Sequence, residues 1–230
     1  MHDTSSPPEL RWADPTAAFV RANTRLQPLA FIPEMSLYLA DEAVPLWQKT
    51  EEELGAMGLP PPFWAFAWAG GQALARYILD NPEKFFRARV LDLASGSGLV
   101  AIAAALAGAN PVIANDIDGF AHAAMALNAE TNGAYIDIVG HDMLETPAPA
   151  ISRYDIVLVG DLFYEKDTAC RALAFVERHQ ASGAEILIGD PGRTYLPQER
   201  LERVIEYRIP VTRELEDNEI KRTSVWRLKP

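Results

Sequence analysis

A chain of 230 residues, 49% of them apolar, is long enough to bury a substantial core and short enough to form one domain. Its formal charge of −11 would repel a phosphate backbone, which excludes extended nucleic acid as an expected partner and favours a cationic protein. No apolar run approaches a bilayer span, and Asp3, Glu9 and Asp14 stand where a signal peptide would be basic and then apolar, so no membrane partner and a cytoplasmic location are expected.

In chain order, Asp14-Pro15 followed by Thr16-Ala17-Ala18-Phe19-Val20-Arg21 reads as an N-cap, a proline at the first helical position and a short helix. A second helix is expected from Pro45 to Met57, with Leu46, Trp47 and Leu54 on one side, until Gly58-Leu59-Pro60-Pro61-Pro62 interrupts it. Residues 1–60 are thus expected to be a helical elaboration packed on a core made by residues 61–230. From Arg89 onward, β-branched runs alternate with alanine-rich helical patterns, the signature of βα units around a parallel sheet. The expected strands run from Val90 to Leu93, Val112 to Asn115, Ile136 to Val139, Asp155 to Val159 and Glu185 to Ile188. Helices are expected from Leu99 to Ala107, Phe120 to Thr131 and Asp167 to His179. The lone Cys170 sits among Ala169, Ala172 and Leu173, which predicts a buried thiol and not a nucleophile or ligand. The tail reads as a helix-to-strand passage from Leu201 to Arg213 and a closing, antiparallel strand from Ile220 to Leu228.

The loop Asp92-Leu93-Ala94-Ser95-Gly96-Ser97-Gly98 leads from a strand into a helix, and its glycines let a ligand approach the backbone and the helix N-terminus. Gly96-Ser97-Gly98-Leu99-Val100-Ala101 also satisfies the dinucleotide fingerprint, with Asp116 at the distance of a ribose-binding acid. Asp92 discriminates between the two. A carboxylate at the mouth of the loop opposes a pyrophosphate and suits the ammonium of a methionyl group, so S-adenosylmethionine is the expected cofactor. Asp116, after its strand, is placed to accept from both ribose hydroxyls, with Asp118 as an alternative helix cap. Asp142 is read either as an adenine contact or as a turn residue, and His141 as its solvent-facing neighbour. No metal site is expected.

Tyr154 to Tyr164 reads as a buried strand ending in an acid and an aromatic pair, at the sheet edge where α/β folds place their ligands. Asp190-Pro191-Gly192-Arg193 should form a tight loop on the same edge, with Arg193 read as shaping a groove or as a solvated charge. Asp161-Leu162-Phe163-Tyr164 resembles the Asp/Glu-x-x-Phe/Tyr motif of methyltransferase family 16, the seven-strand protein-lysine methyltransferases. The stretch from Pro62 to Tyr77, with Phe63-Trp64-Ala65-Phe66-Ala67-Trp68-Ala69-Gly70-Gly71, is similar to that of the branch acting on the electron transfer flavoprotein β subunit. Ala69 stands where that branch often carries proline.

The resemblance covers most of the chain from about Phe31 and implies a Rossmann-like α/β fold of the seven-stranded class I methyltransferases. That fold is a mostly parallel sheet with an antiparallel last strand and helices on both faces. The resemblance further implies a protein substrate bearing an accessible lysine, and a cofactor pocket containing Trp68, Asp92, Ala94, Ser95, Gly96, Gly98, Asp116, Ile117, Asp142 and Gly160. Asp161 and Tyr164 are the expected catalytic pair, the acid orienting the amine and balancing its developing charge, the tyrosine walling the channel. The alternative for Asp161 is a cap on the helix beginning near Lys166. Other functions compatible with the sequence are methylation of a ribosomal protein or small molecule, nicotinamide-dependent oxidoreduction, and a binding module that keeps the fold without catalysis.

Overall fold

Strands β3 (Val90–Leu93), β4 (Val112–Asn115), β6 (Ile156–Gly160) and β7 (Glu185–Asp190) are almost wholly apolar because helices cover both faces of their sheet. The computed structural model describes residues 15–40, 55, 61–145, 153–210 and 220–230. Successive strand residues divide between two apolar layers: Val90, Leu158 and Leu187 on one side, Leu91, Val157, Ile186 and Ile188 on the other. The first layer is closed by α1 (Pro15–Asn23), α2 (Ala69–Asp80), the single turn α3 (Pro82–Phe85), α4 (Leu99–Leu106) and α5 (Gly119–Thr131). The second is closed by α6 (Lys166–Ala181).

The sheet runs β5 (Asp137–Val139), β4, β3, β6, β7, β9 (Ile220–Leu228), β8 (Leu201–Pro210). The first five strands are parallel, and β9 inserts antiparallel between β7 and β8. The chain steps outward from β3 to β5 and then crosses to the other side at β6, so a crevice opens beyond the carboxyl ends of β3 and β6.

Three expectations are corrected. The passage read as helix giving way to strand from Leu201 is strand from its first residue to Pro210, paired along its length with β9; the helical propensity of its Glu- and Arg-rich start is overridden by this pairing. Residues 211–213 of that passage lie outside the described residues. Cys170 is exposed, because α6 turns Ala169, Ala172, Phe175, Val176 and His179 inward and leaves the thiol one step round the helix. Between α1 and residue 40 the chain forms an antiparallel hairpin, β1 (Arg25–Leu29) with β2 (Ile32–Leu39), where only helices were expected. The helix expected from Pro45 to Met57 falls outside the described residues apart from Gly55. Among the described residues no helix is long and apolar enough to cross a membrane.

Candidate active site

The loop leaving β3 makes its turn through positive φ at Ala94, Gly96 and Gly98, of 54, 56 and 84°. At Gly98 the packing is also tight, since a Cβ would lie 3.1 Å from the Met125 side chain, which would have to shift. Asp92 braces this loop from below: its Oδ2 accepts from the Ser95 hydroxyl and from the Ala101 N–H at 3.0 Å. Burial pushes its carboxyl up to about 7, although both hydrogen bonds pull the other way. Asp116 spans the loop from the β4 side, with Oδ2 on the Gly96 N–H at 2.9 Å and Oδ1 on the Asp118 N–H at 3.0 Å. Asp118 is the N-cap of α5, accepting from the Phe120 N–H at 2.8 Å. Asn128 ties the loop to the hairpin, since its amide donates to Ser97 O at 2.8 Å and accepts from the Tyr38 N–H at 2.7 Å. Asp142 accepts from the Leu144 N–H at 2.9 Å, the geometry of the turn role that is one of its two readings, and also pairs with Arg171 at 2.6 Å. His141 is exposed.

The other side of the crevice is organised around Asp161. Its φ is 54°, and its Oδ2 accepts from the backbone N–H groups of Gly70 and, at 3.2 Å, Gly71. Trp68, the N-cap residue of α2, makes no side-chain cap, so Asp161 supplies it from the end of β6 and places a negative charge at the helix N-terminus. The cap at Lys166 considered for it is absent, because the N-cap there is Glu165. Asp161 Oδ1 is held by Arg193, whose Nε and Nη2 lie 3.1 and 2.8 Å away. The Arg193 guanidinium rests 5.8 Å from the centre of the Trp68 ring. Behind it, the Asp190 loop closes as expected, with Oδ1 on the N–H groups of Gly192 at 2.6 Å and Arg193 at 2.7 Å. Tyr164 is half-exposed, its ring 5.5 Å from Phe63, which in turn faces Trp68 at 6.1 Å and accepts its indole N–H at 2.9 Å. Close approach of α2 to β7 makes this cluster compact: a Cβ on Gly70 would run into the carbonyl of Gly189, and one on Gly189 into that of Gly70.

Both sides open into one cavity of about 600 Å³. Every residue expected at the site lines it except Gly98, whose part is to turn the chain into α4. Ile117 lines it while 70% exposed, and Gly160 lies flat against Gly71, where a Cβ would come within 3.2 Å of the Gly71 Cα. Trp64 and Phe66 pack in the core, Trp64 stacking 6.2 Å from Phe120, yet both also reach the cavity. Sequence reasoning missed Asn128 and Arg171 and left Arg193 undecided; none of the three stands in a recognisable motif. Among the described residues no group of three or more His, Cys, Asp or Glu is arranged for a metal ion.

The donor set fits S-adenosylmethionine. Asp92 and Asp116 are acceptors suited to an ammonium and a ribose, whereas a pyrophosphate over the same loop would meet Asp92, Asp116 and Asp118. The strand order and this pocket define a class I, S-adenosylmethionine-dependent methyltransferase. The fold is that of a Streptococcus mutans protein (TM-score 0.56, 11% identity, 99% of this chain and 57% of that one). It is also that of Thermoplasma acidophilum 1320 (TM-score 0.52, 21% identity, 69% and 89%). The ribosomal protein L11 methyltransferase (PrmA) family pattern matches residues 72–160. The electron transfer flavoprotein beta subunit lysine methyltransferase of Mus musculus is 34% identical over 93% of this chain and 84% of its own. The Homo sapiens protein of the same name is 34% identical over 93% and 82%. The chain belongs to the family of electron transfer flavoprotein beta subunit lysine methyltransferases.

Proposed function

We propose that this enzyme methylates lysine on the β subunit of electron transfer flavoprotein. The observation that carries the reading is one cavity joining the Asp92 to Gly98 loop to an aromatic wall of Phe63, Trp68 and Tyr164 anchored through Asp161. The target is supported by relatives of that name aligned over 93% of the chain. In this reading residues 61–230 are the catalytic domain, residues 1–60 its cover, and the enzyme works in the cytoplasm.

Bound S-adenosylmethionine supplies a methyl group on an electron-poor sulfonium. Asp92, Ala94, Ser95, Gly96, Asp116, Ile117, Asp142, Gly160 and Trp68 would hold it, with Gly98 setting the loop. The acceptor amine needs a free lone pair, while a lysine in water holds its proton up to about 10.4. Desolvation between Phe63, Trp68 and Tyr164 favours the neutral form. Burial, followed by the charges of Glu165 and Asp116, raises the Tyr164 phenol above its ordinary value, so it stays protonated and offers a hydroxyl to the channel. The carboxylate of Asp161 already accepts four N–H groups, so it acts by fixing α2, Trp68 and Arg193 in near-attack register and not as a strong base.

The test is incubation of purified electron transfer flavoprotein with labelled S-adenosylmethionine and mass spectrometry of its β subunit. Label on a β-subunit lysine is expected; a β subunit left unlabelled by active enzyme would sink the reading. The PrmA match favours shared cofactor handling only, since it ends at residue 160, before the Asp161 to Tyr164 motif begins.

A further inference from the structure

We propose that Arg193 is a positioning residue that makes the acceptor enter as a neutral amine: clamped on Asp161 and laid against Trp68, its guanidinium takes the place at that carboxylate that a lysine ammonium would otherwise take. The inference rests on the lysine-transfer reading above and adds to it the device that selects the protonation state.

Four N–H groups converge on Asp161, two of Arg193 on Oδ1 and those of Gly70 and Gly71 on Oδ2, which fills the roughly four acceptor positions of a carboxylate. An incoming ammonium therefore finds no vacant acceptor there. Instead it meets a cation that cannot be titrated away. Like charge disfavours the protonated form of a neighbouring amine, so the pair acts in the same direction as desolvation by the aromatic wall. Arg193 is held in this position by Asp161 in front and by Asp190, which fixes its backbone N–H at 2.7 Å.

The other titratable groups around the pair and its cavity are Asp190 at the end of β7, Tyr164 and Glu165 after β6, Asp92 on β3 and Asp116 after β4. Asp118, Asp142 and Arg171 stand on the cofactor side, while the Ala69 to Gln72 end of α2 contributes none. Glu165, exposed at the rim, opposes Arg193, but solvent screens it. Asp190 and Asp92 are themselves pushed up by burial, to about 6 and about 7, so the experiment must show which group titrates.

The pH dependence of kcat reports groups in the enzyme–substrate complex. With electron transfer flavoprotein as acceptor, Arg193→Gln should carry the acidic limb of kcat upward by about one pH unit or more, with turnover approaching wild type at high pH. Arg193→Lys should keep the limb near its original place. Replacing the modified lysine by aminoethylated cysteine, whose amine is more acidic, should lower the limb in both enzymes and so assign it to the acceptor. A limb that ignores Arg193→Gln while turnover falls at every pH, or one that ignores the acceptor's acidity, overturns the proposal. A wild type that methylates no lysine overturns both readings, whereas a methylating wild type with an unmoved limb overturns only this one.

Discussion

The two sides of the crevice are built on different length scales. On the cofactor side the carboxylate bonds that shape the loop join residues 3, 9 and 20 apart, Asp92 with Ser95 and Ala101 and Asp116 with Gly96, and the longer tie from Asn128 to Ser97 spans 31. On the acceptor side Asp161 reaches Gly70 and Gly71 across 91 and 90 residues, and Arg193 across 32. A loop closed mostly by such short-range bonds is nearly shaped once β3, α4 and β4 have formed. A site closed by distant bonds exists only when the whole sheet is assembled, and so it shares the stability of the fold.

The severest test of that contrast is a methyl group at the seam between α2 and β7. In Gly189→Ala the new Cβ would strike the Gly70 carbonyl and lie 2.8 Å from Leu74, and backbone against backbone has no rotamer that can yield. We expect a loss of about 3 kcal/mol or more, or no folded protein at all, in urea titrations. Gly96→Ala should cost only about 1–2 kcal/mol through its φ, since its Cβ meets nothing nearer than 3.8 Å. Equal losses would erase the distinction.

Asp161→Asn separates the sides functionally. Asparagine tolerates the φ of 54° at this position, so the fold should survive while the anchor for Arg193 and the α2 end weakens. Turnover should fall about 100-fold. Cofactor affinity by calorimetry should stay within about threefold, because the Asp92 and Asp116 bonds are untouched. A matching loss of cofactor affinity would mean that the acceptor anchor also supports the cofactor loop.

The same difference in length scale decides what the sequence could reveal. Strands β3 and β4 were legible to the residue because their apolar runs are bounded by loop signals, and Asp118 and the Asp190 loop because caps and turns are local. Arg193 was not legible: nothing within its own loop says that a carboxylate 32 residues earlier will receive it. Asn128 was hidden for the same reason, since it joins Tyr38 to Ser97 from the middle of a helix whose other residues read as packing. The β1–β2 hairpin was missed because its short strands carry Pro28 and Pro33, which demote a strand reading, and part of β2 is satisfied by asparagine side chains in place of another strand.

On the cofactor side Asp92→Asn sets function against stability. Its carboxyl titrates near 7 in the folded state against about 3.9 in an unfolded chain. A raised value means that stability is fullest below the unfolded value and is lost as pH climbs through the folded one. The asparagine variant should therefore gain in melting temperature over wild type, the gain being larger by roughly 5 °C or more at about pH 8 than at about pH 5. Its cofactor affinity should drop about tenfold at neutral pH, and the rise in wild-type affinity as pH climbs toward 7 should vanish in the variant. An affinity that is flat with pH in both proteins would remove Asp92 from the ammonium site.

The smallest expected effect concerns Arg171, which pairs with Asp142 at 2.6 Å on the rim of the cofactor side. The Arg171 side chain is 44% exposed, and such pairs contribute roughly 0–1 kcal/mol because solvent screens them and side-chain entropy opposes them. Asp142 keeps its turn through the Leu144 N–H when Arg171 is removed, so its carboxylate stays in place with one oxygen released to the cavity. Arg171→Ala should change cofactor affinity by no more than about threefold and leave turnover unchanged within error. A direction is still expected: if Asp142 contacts the adenine amino group, freeing its Oδ2 should tighten binding slightly, whereas a purely local turn residue should leave calorimetric affinity where it was. The variant thus chooses between the two roles that the sequence left open for Asp142.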